Sequence, residues 1–481
     1  MKKGIFLSIV TSAVLFAGGD IVPAETTVSD ADFWGQIGFF LRVQDNNYDD
    51  PAMQDYDFGD EENNNFAVTA VIGVEKEVGS GFGLGIELAG WSNLGWGIAD
   101  GMLFKSDRML SGKLLSMSGF GNIRNDNGGE ISQAYLTYSF GNTGIKAGRQ
   151  ALTKSVSPWA FSDRTGGVID VSYDGIVAAN TDIADTTLLF AWIDQAYTAS
   201  TMPEQNEVAG TVYAGEQYDL KNMDLSDNAG LFMLGMINKS ISNTTLSLSA
   251  YYIPESKMNN IAANYNAARL ARANRTAYSD TWSVWASAVG TVNNINWGLQ
   301  FAYVDGDVHQ IVAATGAAVP NSKWDATYGV AGKIGSSWGD LDAELVVSYI
   351  NDGDYSFRTA GSRRGTSSAF WTFNGDFGGD TQDGEEQIAI VAKAGYKLGN
   401  GKLFGNIGYW EFDDKVLSAA INDSLDNALD LRLGYKFKLM DIDAQVEYRY
   451  RDITRTSNPS AGVYNWDETR QRVQVEAYYK F

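Results

Sequence analysis

The sequence predicts an all-β fold, one closed antiparallel barrel of about eighteen strands crossing a membrane. Three observations predict it. Apolar and polar residues alternate with a period of two along the chain, the connections between alternating segments are short and long in turn, and the composition closes off the main competing classes. The 481 residues are 44% hydrophobic, 12% aromatic and 20% charged, too much apolar surface for a disordered chain. The absence of cysteine excludes a disulfide scaffold, a thiolate metal site and a lipid-anchored lipoprotein. A net charge of -23 and a pI near 4.4 argue against a nucleic-acid partner. The single histidine, His309, leaves little for histidine-based metal or acid-base chemistry, so neither a cofactor nor a metal site is expected.

The chain begins with Lys2 and Lys3 before an apolar stretch from Ile5 to Ala17, and Val22-Pro23-Ala24 offers small residues for cleavage. Residues 1–24 are therefore expected to be a secretory signal peptide, and 25–481 a single barrel domain. No later apolar run approaches the roughly 18 residues of a spanning helix.

Strands come next. From Leu429 to Phe437 every odd position is apolar and every even one polar or glycine, which sorts the side chains onto the two faces of a strand. The same pattern runs through Phe82–Trp91, Ala134–Phe140, Thr245–Tyr252, Ile295–Val304, Leu341–Ile350 and Ile388–Leu398. Segments near 171–180 and 230–238 show it most weakly. Gly79-Ser80-Gly81, Gly141-Asn142-Thr143, Asn293-Asn294 and Gly399-Asn400-Gly401 mark short turns, where positive φ is cheap. Long polar loops fall near 44–65, 95–129, 195–228, 254–279, 305–323, 351–385, 413–426 and 454–468. Short turns on one rim and long loops on the other are the pattern of an outer-membrane barrel. Aromatics gather where its girdles belong: Tyr138, Phe140, Tyr396, Tyr435, Phe437 and Tyr479 by the short turns, Tyr252, Tyr303, Tyr349, Tyr448 and Tyr450 by the loops. In the last segment Val473, Val475, Ala477, Tyr479 and Phe481 alternate up to the final residue. This resembles the signature read by the barrel assembly machinery, with Tyr479 and Phe481 as the assembly signal.

Several local motifs carry no chemistry. Gly79, Gly81, Gly83 and Gly85 imitate a dinucleotide fingerprint but lead into a strand, so no helix dipole awaits a pyrophosphate. Gly112-Lys113 lacks the spacing of a phosphate loop, and Asp380 to Glu385 is only a fragment of a calcium loop. His309 is expected in a solvated loop. Asp45, Asp49, Asp50, Asp55, Asp57, Asp60, Glu61 and Glu62 form an acidic run that reads as solvated surface, or as a divalent-cation bridge to lipopolysaccharide.

The chain as a whole resembles the porins of about eighteen strands, in particular the OprD-like family and its Opr-type relatives in epsilonproteobacterial outer membranes. The most family-like stretch is AYLTYSFGNTGIKAGRQALTKSVSPWAFSDRTGG, Ala134 to Gly167. The resemblance implies a water-filled channel in the outer membrane of a Gram-negative bacterium, passing small hydrophilic solutes and ions by passive diffusion. It also implies a loop, near 151–170, folded inward to narrow the pore, with Arg149, Asp163, Arg164 and Asp170 as constriction candidates. Outer-membrane lipids and lipopolysaccharide would surround it, and trimers are common among such porins, although no stretch of this sequence marks a subunit interface.

Burying charge against lipid at mid-depth costs roughly 2 to 4 kcal/mol, so the polar face of each strand should line the lumen. That turns Arg470, Arg472, Gln474, Glu476, Glu447, Arg449, Arg451, Asp430, Arg432 and, across the closure, Gln36 and Arg42 inward. At about 3.3 Å per residue and a 45° tilt, Arg472 and Arg42 each stand about 21 Å above their strand ends and Arg449 nearly as high. Arg42, Arg432, Arg449, Arg451, Arg470 and Arg472 should thus form one basic wall favouring carboxylates or zwitterions, opposed by Asp163 or Asp170. The same arginines could equally be partners of Glu447 and Glu476. A barrel enzyme would need a partner for His309 that the sequence does not offer; a structural or adhesive barrel acting through its loops is the alternative.

Overall fold

A computed structural model describes residues 31–48, 65–92, 109–110, 113–114, 128–162, 172–197, 223–224, 229–257, 275–312, 325–353, 355, 357, 368–373, 386–413, 423–457 and 464–481. The expected signal peptide, Asp163, Arg164, Asp170, the acids from Asp49 to Glu62 and the Asp380–Glu385 fragment lie outside the described residues.

The wall consists of β1 (Asp32–Tyr48), β2 (Asn65–Gly79), β3 (Phe82–Ser92), β4 (Gly128–Phe140), β5 (Thr143–Gln150) and β6 (Ser172–Asn180). It continues with β7 (Thr186–Tyr197), β8 (Leu231–Asn238), β9 (Thr244–Lys257), β10 (Arg275–Val292), β11 (Ile295–Val312) and β12 (Thr327–Trp338). β13 (Leu341–Ile350), β14 (Gln387–Leu398), β15 (Gly401–Phe412), β16 (Asp423–Leu439), β17 (Ile442–Ser457) and β18 (Tyr464–Lys480) complete it. The sheet has 19 strands, one of them the two-residue Met223–Asp224 beside β7, which leaves eighteen in the ring. Each strand pairs antiparallel with the next, and β18 returns to β1 from Gln36 opposite Lys480 to Tyr48 opposite Glu468. Closure leaves no free sheet edge, as hydrocarbon requires of a spanning sheet. Both weak segments, 171–180 and 230–238, are strands of this ring.

Turns follow the chemistry of the short connections. Asn293 (φ 56°) and Gly141 (φ 54°) take the left-handed conformation that a tight β10–β11 or β4–β5 hairpin needs. Asp32 and Phe481 stand at the same rim as these turns. Alternation sorts the side chains as expected: Leu136, Leu234, Leu299 and Leu433 are exposed on the outer face, and Arg42, Asp430, Glu447 and Arg451 are buried on the inner one. Rings cap the outer belt at both ends, with Phe82 stacked on Tyr138 at 4.3 Å by the turns and Trp282 on Tyr303 at 4.8 Å by the loops.

Two expectations change. Strands run past the apolar belt: β10 and β11 are 18 residues each, against 8 for β5 and for β8, so the wall is uneven. His309, expected in a loop, belongs to β11, opposite Tyr278. The hydropathy signal ends where the belt ends, but the β10–β11 ladder continues to Arg275 opposite Val312, each strand satisfying the other's backbone groups on that side. Second, the lumen is not polar all round. On the loop side of β5–β13 the inner face presents an apolar surface that two inward segments cover. Leu152, Val156, Trp159 and Phe161 pack on Tyr173, Val177, Ile193 and Tyr251, while Tyr355, Phe357 and Phe370 pack on Trp285, Ala302, Val304 and Ile350.

Candidate pore wall and constriction

β16, β17, β18 and β1 set the arginines side by side. Arg432 lies opposite Arg449, Arg449 opposite Arg472, and Arg472 opposite Gln44; two residues higher Asp430, Arg451, Arg470 and Asn46 form the next row. Arg42 lies opposite Gln474, in the row below. Such density of like charge persists because carboxylates are interleaved. Asp430 receives both Arg449 and Arg451 at 2.6 Å, Glu447 takes Arg432 and, at 3.6 Å, Arg472, and Glu468 takes Arg470. Arg42 donates to Gln474 at 3.2 Å and lies 5.2 Å from the Phe40 ring centre. The planar guanidinium suits this, since it can serve a carboxylate and a ring together. Asp430, Glu447 and Glu468 thus each hold at least one of the arginines on the inner face. Access differs: the Arg432 side chain is 30% exposed and that of Arg451 only 2%. Arg432 is the most exposed of the paired arginines in the wall.

The wall continues through residues that sequence reasoning missed. One cross-strand row in register runs Glu344, Lys393, Asn406, Arg432, Arg449, Arg472. A row perpendicular to tilted strands climbs around the barrel, so these cations form a rising spiral. At its lower end Glu344 receives Lys333 at 3.4 Å and Lys393 at 3.3 Å. Lys333 also lies 4.7 Å from the Trp371 ring centre, and Lys393 donates to the Trp371 carbonyl at 3.4 Å. Below, near the short turns, a recess of about 490 Å³ is lined by Lys397, Lys402, Lys436 and Lys438 with Asp443 and Glu476. None of this was visible from single strands, because a lone inward lysine acquires meaning only from its cross-strand neighbours.

Beside the arginines, on the far side of β1, strands β2 and β3 carry inner-face acids. Tyr135 donates to Glu75 at 2.8 Å, and Ser132 and Trp34 donate to Glu87 at 2.7 and 3.2 Å. The buried Lys146 lies 3.5 Å from the Tyr135 ring centre. Arg149 does not join the constriction. Lys146 and Gln150 take the inner face of β5, so alternation turns Arg149 outward, where it pairs with Asp174 at 3.1 Å and donates to the Ile131 carbonyl at 3.0 Å.

Inside the barrel, the two inward segments are fixed to the wall and to each other. Tyr251 bonds Ser157 (3.1 Å) and the Trp159 amide (3.3 Å), and Tyr173 donates to the Phe161 carbonyl at 3.0 Å. Gln300 clamps the second segment by donating to the Ala369 carbonyl and accepting from the Trp371 amide, both at 3.0 Å. Lys154 joins the two segments through the Ser368 carbonyl at 2.8 Å. The second segment falls in what the sequence presents as an outer loop, and the aromatic cluster Phe370-Trp371-Thr372-Phe373 is the signal that could have revealed it.

Ring, apolar belt, charged wall and inward segments together define a porin-type barrel. Pseudomonas aeruginosa OccK9 (OpdG) has this fold at TM-score 0.58 and 12% identity, covering 95% of this chain and 100% of its own. Acinetobacter baumannii OccAB3 aligns at TM-score 0.57 and 13% identity over 94% and 100% of the chains. Pseudomonas aeruginosa OpdK, solved with vanillate, aligns at 0.56 and 13% over 93% and 99%. At these identities the likeness is one of fold, the eighteen-stranded closed barrel of outer-membrane porin structures. No protein-family model and no curated protein matches the sequence.

Proposed function

We propose that the protein is an outer-membrane channel through which small hydrophilic solutes and ions diffuse passively, with a preference for those bearing a carboxylate, zwitterions included. The observation that carries this reading is the spiral of Lys393, Asn406, Arg432, Arg449 and Arg472, four cations and one amide in a single row on a closed wall. A carboxylate moving along it exchanges one charge-assisted hydrogen bond for the next and is never stripped of all its partners at once. Glu75 and Glu87, on the two strands that follow β1, give an ammonium group somewhere to point beside the arginines. OpdK holding vanillate, a carboxylate, agrees with this solute class. The carboxylates within the wall keep it from trapping anions, since each guanidinium already has a partner that a solute only partly replaces.

Conductance and reversal potential in a planar bilayer test the proposal. The protein should form open channels whose reversal potential in a salt gradient favours anions. Replacing both Arg432 and Arg472 with Gln should move it toward cations and slow carboxylate uptake several-fold with conductance intact. An unchanged reversal potential would reduce these arginines to structural partners of Glu447; a barrel that does not conduct would favour the structural or adhesive reading.

A further inference from the structure

Among the described residues, six glycines of the wall both lie opposite an aromatic residue of the adjoining strand and are covered by its ring. They are Gly73 opposite Trp34, Gly85 opposite Tyr135, Gly290 opposite Trp297, Gly434 opposite Phe404, Gly38 opposite Tyr478 and Gly35 opposite Phe481. In every pair the ring covers the glycine: a Cβ built there would meet ring atoms within 3.1 Å. A ring laid over a glycine shields the bare backbone and pins the register of the two strands. Four of the pairs join strands consecutive in the chain, which their connection already brings together. The other two join β18 to β1, where no turn sets the register.

These two pairs sit on opposite faces of the closure. Phe481, 57% exposed, lies on the outer face at the short-turn rim, and its N–H and C=O bond the C=O and N–H of Gly35 at 3.0 and 2.8 Å. Tyr478 lies on the inner face, with two ring carbons 3.1 Å from where a Gly38 Cβ would be. The arrangement discriminates between registers. A one-residue slip exchanges inner and outer faces, placing charge in the apolar belt. A two-residue slip keeps the faces but sets Phe481 against Phe33 or Ile37 and Tyr478 against Gln36 or Phe40, where a side chain stands in the place of each ring.

We propose that Gly35 and Gly38 are sockets that recognise Phe481 and Tyr478, so that β1 receives β18 in one register and the barrel closes with the arginines of the two strands in line. This gives Phe481 a task within the folded chain that is separate from any role as an assembly signal. It also couples closure to the pore, because the register that seats Phe481 on Gly35 is the one that sets Arg42 against Gln474 and Arg472 against Gln44.

The inference rests on the barrel being membrane-inserted, and the test reports on that separately. The chain is refolded from urea into dilauroyl phosphatidylcholine vesicles, without assembly factors, and closure is followed by the appearance of the compact, heat-modifiable band. If the wild type gives no such band, the membrane-barrel reading fails. Gly35→Ala, Phe481→Ala, the double variant and Gly332→Ala are compared; a Cβ at Gly332 would meet only Leu299, at 3.9 Å, which makes it the control. Gly35→Ala should slow closure at least tenfold in the wild-type background and less than twofold in the Phe481→Ala background. Should Gly35→Ala not close at all, recovery in the double variant still supports the socket. Equal slowing or failure in both backgrounds, or an effect no larger than that of Gly332→Ala, overturns it.

Discussion

Asp430 is wholly buried and serves two guanidinium groups at once, so it holds more of the wall together than any one arginine does. Its replacement by Asn leaves Arg449 and Arg451 without their shared charge, and removing one partner of a buried pair costs about 3 to 5 kcal/mol. Asp430→Asn should therefore lower the temperature at which the heat-modifiable band is lost, whereas Lys402→Gln, which breaks a half-exposed pair with Asp342, should leave it within error. A second residue-scale prediction concerns Asp182, in the connection between β6 and β7. Hydrogen bonds from Asn180 at 2.7 Å and Asn142 at 2.9 Å hold its carboxyl below the usual carboxylate range. A depressed folded-state pKa means that this contribution is present above the ordinary carboxylate pKa and lost as the pH falls through the lowered one. Hydrogen exchange at the Thr181 amide, which donates to Asn142 across the turn, should thus stay slow through pH 5 and quicken only under strong acid, and Asp182→Asn should abolish that acid step.

At the scale of elements, what could be read from the sequence depended on whether a segment's partner was implied by the segment itself. Strands such as Leu341–Ile350 were legible because lipid on one side and water on the other impose alternation locally. The Met440–Asp441 turn, with Met440 at φ 53°, carried no glycine or asparagine to announce it. Arg149 was assigned by its nearness in sequence to the inward loop, although its strand parity already pointed outward. The second inward segment was the largest omission, since its rings are buried only because β10–β13 present an apolar face to receive them. Gln300 is the hinge of that assignment. Replacing it with Ala removes two buried hydrogen bonds and leaves the Ala369 carbonyl and Trp371 amide unsatisfied, at about 1 to 3 kcal/mol each. Gln300→Ala should raise single-channel conductance and open-channel noise while far-ultraviolet dichroism stays that of the wild-type barrel. Conductance identical to wild type would mean that the second segment does not bound the narrow path.

For the molecule as a whole, two opposed charge distributions must be weighed. The chain carries a net charge of -23, yet the spiral within it is cationic. Distance and screening decide between them. The Debye length is about 30 Å at 0.01 M salt, 8 Å at 0.15 M and 3 Å at 1 M. On the proposed channel reading, the field of the acids expected in the loops acts on the mouth in dilute salt, whereas at physiological strength it is screened and contact with Arg432 and Lys393 decides. Ion selectivity should therefore change with concentration, and not in one direction only. With a fixed concentration ratio across the bilayer, reversal potential should move toward anions between about 0.01 and 0.15 M as outer acids are screened, then relax toward zero near 1 M as the spiral itself is screened. The Arg432→Gln, Arg472→Gln double variant should keep the dilute-salt behaviour and lose the anion-favouring maximum. A reversal potential that does not vary with ionic strength, or a maximum that survives the double substitution, would place selectivity elsewhere than in this wall.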